Sequence, residues 1–311
     1  MKVAVSGLIN VEYNIKVHDF PIDYSPIEYS FFGSDINISG VGFNIIKALN
    51  TLQDEVLPIS IVGKDIFSKL VLIEIEKMGL DKRFIFTNLK NICSSLVLFD
   101  NEGRRKIYCD LKEIQDLRVP YSKVKKEILN CDVLILTNIS FNEEILNNCN
   151  DFNGLIVSDV HVLTDINDPY NTLFMSASDI LFLSDEGINT NYESFLFSIY
   201  TKYKNEIIVL GMGEKGAMVF IKEDMKVYHI AAIKTKEVIN TIGAGDALLS
   251  SFVHFYLKTK EVLPSLIKAM TFASLKISSS GASNGFVNEE EVIKWVNKIQ
   301  PTVTLIKDYS K

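Results

Sequence analysis

Asn240-Thr241-Ile242-Gly243-Ala244-Gly245-Asp246-Ala247 runs directly into the apolar stretch Leu248 to Leu257, whose spacing predicts a helix. Small residues just before a helix let several backbone N–H groups converge on one point, and the helix dipole favours negative charge there. A transferring phosphoryl group suits such a place. Asp246, at the same helix start, is positioned to take a proton from an attacking hydroxyl while the N–H groups stabilise the charge that develops. The same eight residues also fit a glycine turn with Asp246 as a plain helix cap, and the string alone does not choose.

Upstream, short apolar runs without alternation recur at Val3 to Val5, Val133 to Leu136, Leu155 to Val157, Ile180 to Leu183 and Ile207 to Leu210. Such runs read as strands covered on both faces, hence a mostly parallel sheet between helix layers. Helical spacing appears in Phe43, Ile46, Ala48, Leu49 and Leu52, in Val124 to Leu129, and in Ala269 to Ser279. The alternation gives an α/β fold with a central sheet flanked by helices. Two stretches break it: Tyr29 to Ile38 and Ser94 to Cys109, the latter a hairpin about Asn101-Glu102-Gly103. They predict a small β lid, inserted from about residues 12–38 and 94–110 into a single domain over 1–311.

Thr241-Ile242-Gly243-Ala244-Gly245-Asp246 resembles the C-terminal signature of the ribokinase-like (PfkB-type) carbohydrate kinases. The resemblance implies a ribokinase-like fold, an anion hole at Gly243, Ala244 and Gly245, a catalytic base at Asp246, and Thr241 on the nucleotide side. Ser39-Gly40-Val41-Gly42-Phe43-Asn44 resembles the family's sugar-site glycine signature and implies that Gly40 and Asn44 hold the acceptor. Glycine there would let backbone approach a polyol, and Asn both donates and accepts. Gly7-Leu8-Ile9-Asn10-Val11-Glu12 follows the first strand where the family carries an Asn and an Asp for sugar hydroxyls, so Asn10 and Glu12 take those roles by resemblance. On residue type alone, a Glu in a loop is a solvated charge. Gly211-Met212-Gly213-Glu214-Lys215-Gly216 satisfies G-x-G-x-x-G, but strand-like Ala217 to Ile221 follows in place of a helix, which argues against a dinucleotide site. The resemblance implies that Gly213 and Gly216 border the nucleotide.

Three segments depart from the family pattern. Ser184-Asp185-Glu186-Gly187 stands in place of N-x-x-E, leaving Glu186 or Asp185 to reach magnesium through water. Asn240 replaces an Asp that helps form the ion site in monovalent-cation-activated members, which puts potassium dependence in question. Asp159-Val160-His161 lacks the family's Asn and Arg, and His161 reads as a hydrogen-bonded loop residue.

A formal charge of -7 with no long Lys/Arg cluster argues against a nucleic-acid partner; Arg104, Arg105 and Lys106 form only a short run. Cys93, Cys109, Cys131 and Cys149 lack C-x-x-C spacing, which predicts reduced thiols. No run reaches the roughly 18 apolar residues of a membrane span, and a cytoplasmic location is expected. The reading is ATP- and magnesium-dependent phosphorylation of a small sugar. The alternatives are a nucleoside acceptor, with Phe31, Phe32 or Phe43 as a base platform, and a sugar-binding regulator without catalysis. Lid strands pairing between subunits would give a homodimer.

Overall fold

Alternate residues of the central strands point into opposite helix layers. Val3, Val5, Val133 and Ile135 pack with Phe43, Leu49, Phe252 and Leu266, whereas Ala4, Leu134 and Leu136 pack with Val124, Ile145, Phe174 and Ile199. Both faces are dry, which is why these strands read as continuous apolar runs. The computed structural model describes residues 1–100, 102 and 104–310. Its strands are β1 (Lys2–Ser6), β2 (Asn10–Lys16), β3 (Ser34–Ser39), β4 (Glu55–Val62), β5 (Ile85–Thr87), β6 (Ser94–Phe99), β7 (Arg105–Asp110), β8 (Val133–Thr137), β9 (Leu155–Val162), β10 (Ile180–Ser184), β11 (Ile207–Gly211), β12 (Ala217–Ile221), β13 (Lys226–Ile230) and β14 (Val303–Asp308). Its helices are α1 (Val41–Thr51), α2 (Ile66–Lys77), α3 (Tyr121–Ile128), α4 (Glu143–Asn148), α5 (Pro169–Ala177), α6 (Tyr192–Tyr203), α7 (Ala244–Thr259), α8 (Val262–Lys276) and α9 (Glu289–Val296).

The large sheet runs β14-β13-β12-β11-β10-β9-β8-β1-β4-β5. Pairing is parallel from β5 through β11 and antiparallel across β11, β12, β13 and β14. Strand order reverses between β1 and β8, and ligands of such sheets sit beyond the carboxyl ends of the strands at that switch. The polar ends of β1 and the start of α1 lie there. Among the described residues no helix is long and apolar enough to cross a membrane.

The lid is a second sheet of order β3-β2-β6-β7, with β2 and β6 parallel and both outer pairs antiparallel. The expected hairpin is present as β6 and β7, and its Asn101 and Gly103 lie outside the described residues. Asp100 holds the turn, accepting from the N–H of Glu102 and of Arg104 at 2.9 Å each. The first lid segment differs from expectation in extent. Its strand content is Asn10–Lys16 and Ser34–Ser39, while Tyr29, Phe31 and Phe32 lie outside strands and are largely exposed, so β3 begins at Ser34 and not at Tyr29.

Candidate active site

The loop ahead of α7 is shaped by contacts only glycine permits. Gly243 has φ 76°, and a Cβ there would lie 2.6 Å from the Ala282 carbonyl oxygen. The Asn240 side chain turns back on its own loop, its Oδ1 accepting from the Ile242 N–H at 2.8 Å. Ala244 N–H donates to Thr241 O at 3.2 Å. The N–H groups of Gly243, Gly245 and Asp246 have no hydrogen-bond partner among the described residues, as expected at a helix start. A Cβ on Gly245 would meet only Asp159 Oδ2, 3.8 Å away, so the mouth of the helix opens toward that carboxylate. Unpaired N–H groups at the start of a 16-residue helix carry the polarity that suits an anion.

Asp246 lies in the first turn of α7 and is 7% exposed. Asn44, one turn into α1, donates from Nδ2 to Asp246 Oδ2 at 2.6 Å. Burial pushes the Asp246 carboxyl up to about 6; the Asn44 hydrogen bond, His161 and Lys276 pull it down, and Asp159 pushes it further up. A carboxylate with that proton affinity is ionised at neutral pH yet basic enough to accept a proton from a hydroxyl in the transition state.

Asn44 reaches Asp246 because α1 begins hard against the β1–β2 turn. Gly40 has φ 99°, and its Cβ would sit 2.5 Å from Leu8 O. A Cβ on Gly42 would sit 2.4 Å from the Gly7 carbonyl carbon, and Gly42 N–H donates to Leu8 O at 2.9 Å. The glycines serve the close approach of the chain to itself, and the remaining acceptor-side candidates are polar side chains.

Those side chains come from β2, where alternation puts Asn10, Glu12 and Asn14 on one face. Asn10 Nδ2 donates to Ser95 Oγ at 3.2 Å, Asn14 Nδ2 to Glu12 Oε1 at 3.1 Å, and Ser39 Oγ to Glu12 Oε2 at 3.2 Å. Glu12 is thus not the solvated loop charge its residue type suggests: it is 5% exposed, in a strand, with both oxygens held. The amide oxygens of Asn10, Asn14 and Asn44 are buried without a hydrogen-bond partner among the described residues. A buried acceptor left unpaired costs about 1–3 kcal/mol, so three of them call for donors from elsewhere.

Gly216, at φ 99°, would place a Cβ 2.1 Å from Ile230 O, which makes it the turn residue of the antiparallel β11–β12 connection; Gly213, at φ 54°, faces open space. Thr241 Oγ1 accepts from Arg105 of β7 at 2.9 Å, so the lid touches the anion loop. Neighbouring Arg104 is instead tied to Asp100 and Asp19. Glu186 is exposed, and Asp185 accepts from the Tyr192 hydroxyl at 3.0 Å. Among the described residues no three His, Cys, Asp or Glu side chains cluster as a metal site. Phe43 is 1% exposed in the core, so it offers no platform for a base, and Phe31 and Phe32 are largely exposed on the β2–β3 connection.

Sequence reasoning passed over three contributors. Asn14 was visible in the alternation Asn10-Val11-Glu12-Tyr13-Asn14. Asp159, 6% exposed and accepting from His161 N–H at 2.7 Å, was read only as a departure. Lys276, fully buried at the end of α8, gave no signal, since a lysine there reads as solvated.

The model for pfkB family carbohydrate kinases matches residues 2–290. A deoxyribokinase of Salmonella typhi is 23% identical over 313 residues, covering 96% of this chain and 99% of that protein. A microbiome-derived acarbose kinase superposes with a TM-score of 0.86 at 16% identity, over 95% of this chain and 98% of the other. Arabidopsis thaliana ribokinase, complexed with ribose and ATP, superposes with a TM-score of 0.77 at 16% identity, over 94% and 98%. The chain has the ribokinase-like fold and belongs to the pfkB family of carbohydrate kinases, ATP-dependent phosphotransferases that act on an alcohol group.

Proposed function

We propose that the protein transfers the γ-phosphoryl group of ATP to a hydroxyl of a small, uncharged sugar held between β2 and the start of α1. The observation that carries this reading is the set of unpaired buried oxygens on Asn10, Asn14 and Asn44 beside the fixed Glu12 carboxylate. They are acceptors awaiting hydroxyl donors, and a polyol supplies several at fixed spacing. Asn44 links the pocket to the base, since its Nδ2 already holds Asp246 Oδ2.

In this reading Asn10, Glu12, Gly40 and Asn44 hold the acceptor and Asp246 takes the proton of the attacking hydroxyl. In the Gly243-Ala244-Gly245 loop the unpaired N–H groups, those of Gly243, Gly245 and the adjoining Asp246, stabilise the transferring group, while Ala244 shapes the loop through its own N–H bond to Thr241 O. Thr241, Gly213 and Gly216 border the nucleotide. Asp159, beside Gly245, and Glu186 or Asp185 are the carboxylates that would hold magnesium through water, where it would neutralise phosphate charge. Arg105, reaching Thr241 from β7, favours a lid that closes over the phosphates and excludes water. The deoxyribokinase relative and the ribose-bound fold neighbour make pentoses the first acceptors to try. The exposed apolar side chains of the lid support self-association into a dimer.

The test is magnesium-dependent ADP release from ATP over pentoses, hexoses, their monophosphates and nucleosides, with Asp246→Asn alongside. Turnover on an uncharged sugar that falls at least about 1,000-fold in the variant is expected. Near-normal turnover by Asp246→Asn would remove the base assignment, and sugar binding with no turnover would favour a non-catalytic binder.

A further inference from the structure

Lys276 is 0% exposed, the only fully buried lysine among the described residues. It ends α8, and its ammonium donates to Ile242 O, in the anion loop, and to Gly281 O at 2.9 Å. The loop is docked onto the same helix end: Ile239 N–H and Asn240 N–H both donate to Ile277 O, at 2.9 and 3.1 Å. Burying an ammonium is costly, and burial pushes this one down to about 8 against the pull of Asp246 and Glu12. A fold that only needed to fill space here would do better with an apolar side chain.

Asn240 stands where the sequence resemblance put an ion-site acid, yet its side chain is spent on the Ile242 N–H. The neighbouring carbonyl, Ile242 O, is already held by a positive charge that belongs to the chain.

We propose that Lys276 is a positioning residue for phosphoryl transfer, its ammonium acting as a tethered monovalent cation that clamps the carbonyls of Ile242 and Gly281 and thereby aims the anion hole. The inference rests on reading Gly243 to Asp246 as the phosphoryl site. Ile242 C=O and Gly243 N–H belong to one planar trans peptide and point in opposite directions. Holding the oxygen inward on Lys276 turns the Gly243 N–H outward, toward the anion. Withdrawing electron density through the oxygen also makes that N–H a stronger donor. Gly281 O is the second jaw, and the adjacent Ala282 carbonyl is the surface Gly243 packs against.

The experiment compares wild type, Lys276→Ala and Lys276→Met at constant ionic strength with choline, potassium or ammonium chloride. Alanine leaves a carbonyl-lined space of ammonium size, whereas methionine fills it with an uncharged stem. Wild-type kcat is expected to be indifferent to the cation. Both variants should lose about 100-fold in kcat with the acceptor KM changed less than about threefold, the loss expected of a mis-aimed oxyanion donor. Ammonium or potassium should restore kcat saturably in Lys276→Ala and leave Lys276→Met unchanged. Thermal unfolding without substrate should show the same pattern, with Tm rising saturably in Lys276→Ala alone. Wild type that needs potassium, Lys276→Ala that keeps its kcat, or Lys276→Ala that responds to neither ion in Tm overturns the proposal. If wild type phosphorylates nothing, the kinase reading fails by itself, while the Tm series still reports whether Lys276 fills a cation site.

Discussion

At the scale of single residues, the site trades stability for basicity. Asp246 has a folded-state pKa of about 6 against an ordinary 3.8, chiefly because it is buried. Below pH 3.8 both folded and unfolded chains carry the proton and nothing is lost. Between the two values the folded chain binds more proton than the unfolded one, so stability falls as pH rises, and above about 6 the full penalty applies. That rise corresponds to up to about 3 kcal/mol. Asp246→Asn is therefore expected to raise the unfolding free energy at pH 7 by up to about 3 kcal/mol, with the gain shrinking toward pH 4. Urea denaturation at both pH values checks this, and a variant less stable than wild type at pH 7 contradicts it. The activity of the wild type should follow the same groups. Protonation of Asp246, faced by Asn44, His161, Asp159 and Lys276, gives kcat/KM an acid limb near 6, and loss of the Lys276 proton, against Asp246 and Glu12, gives an alkaline limb near 8. An acid limb near an ordinary carboxylate value would take the proton away from Asp246.

At the scale of elements, β2 shows why part of the site was legible and part was not. The turn into α7 could be read directly because its requirements are local: glycine at φ 76°, small neighbours, a helix behind, and an acid in the first turn. The buried strands of the large sheet were likewise legible, since apolar runs covered on two faces leave few alternatives. Glu12 and Asn14 were harder, because their burial depends on β3 and β6, which lie far from β2 in the chain. Nothing local distinguishes a strand that will be covered by such partners from a polar loop. Lys276 was the hardest, because the carbonyls that hold it come from two loops that converge only in the folded chain. The strand reading makes its own prediction. Asn14→Ala removes one acceptor from the pocket face and the Nδ2 donor that holds Glu12 Oε1, without touching Asp246, so the acceptor KM should rise at least about twofold with kcat within about twofold, one neutral hydrogen bond setting the lower bound. Steady-state kinetics over the sugar concentration decides it: an unchanged KM would move the acceptor off the β2 face.

At the scale of the whole molecule, the lid leaves apolar side chains uncovered. Register pairs Ile36 with Tyr13, Tyr13 with Leu96 and Leu96 with Tyr108, so these four share one face of the small sheet. Ile36 and Tyr108 are 58% and 50% exposed, and the β2–β3 connection adds exposed Tyr24, Ile27, Tyr29, Phe31 and Phe32. Among the described residues β3 and β7 are the outer strands of this sheet, with no further strand beside them, and β7 is exposed throughout. Soluble chains rarely leave so much apolar surface and open edge to water, because both invite pairing. A second copy of the lid presents the same apolar face and the same edges, so a two-fold arrangement satisfies both at once. Light scattering behind size exclusion should then give twice the 35.1 kDa of the chain at micromolar concentration. Ile36→Glu combined with Tyr108→Glu should return the mass to that of one chain, because a charge buried at the centre of such a contact costs more than the contact returns. A wild-type mass of one chain at every concentration would leave the lid as a cover for its own site alone.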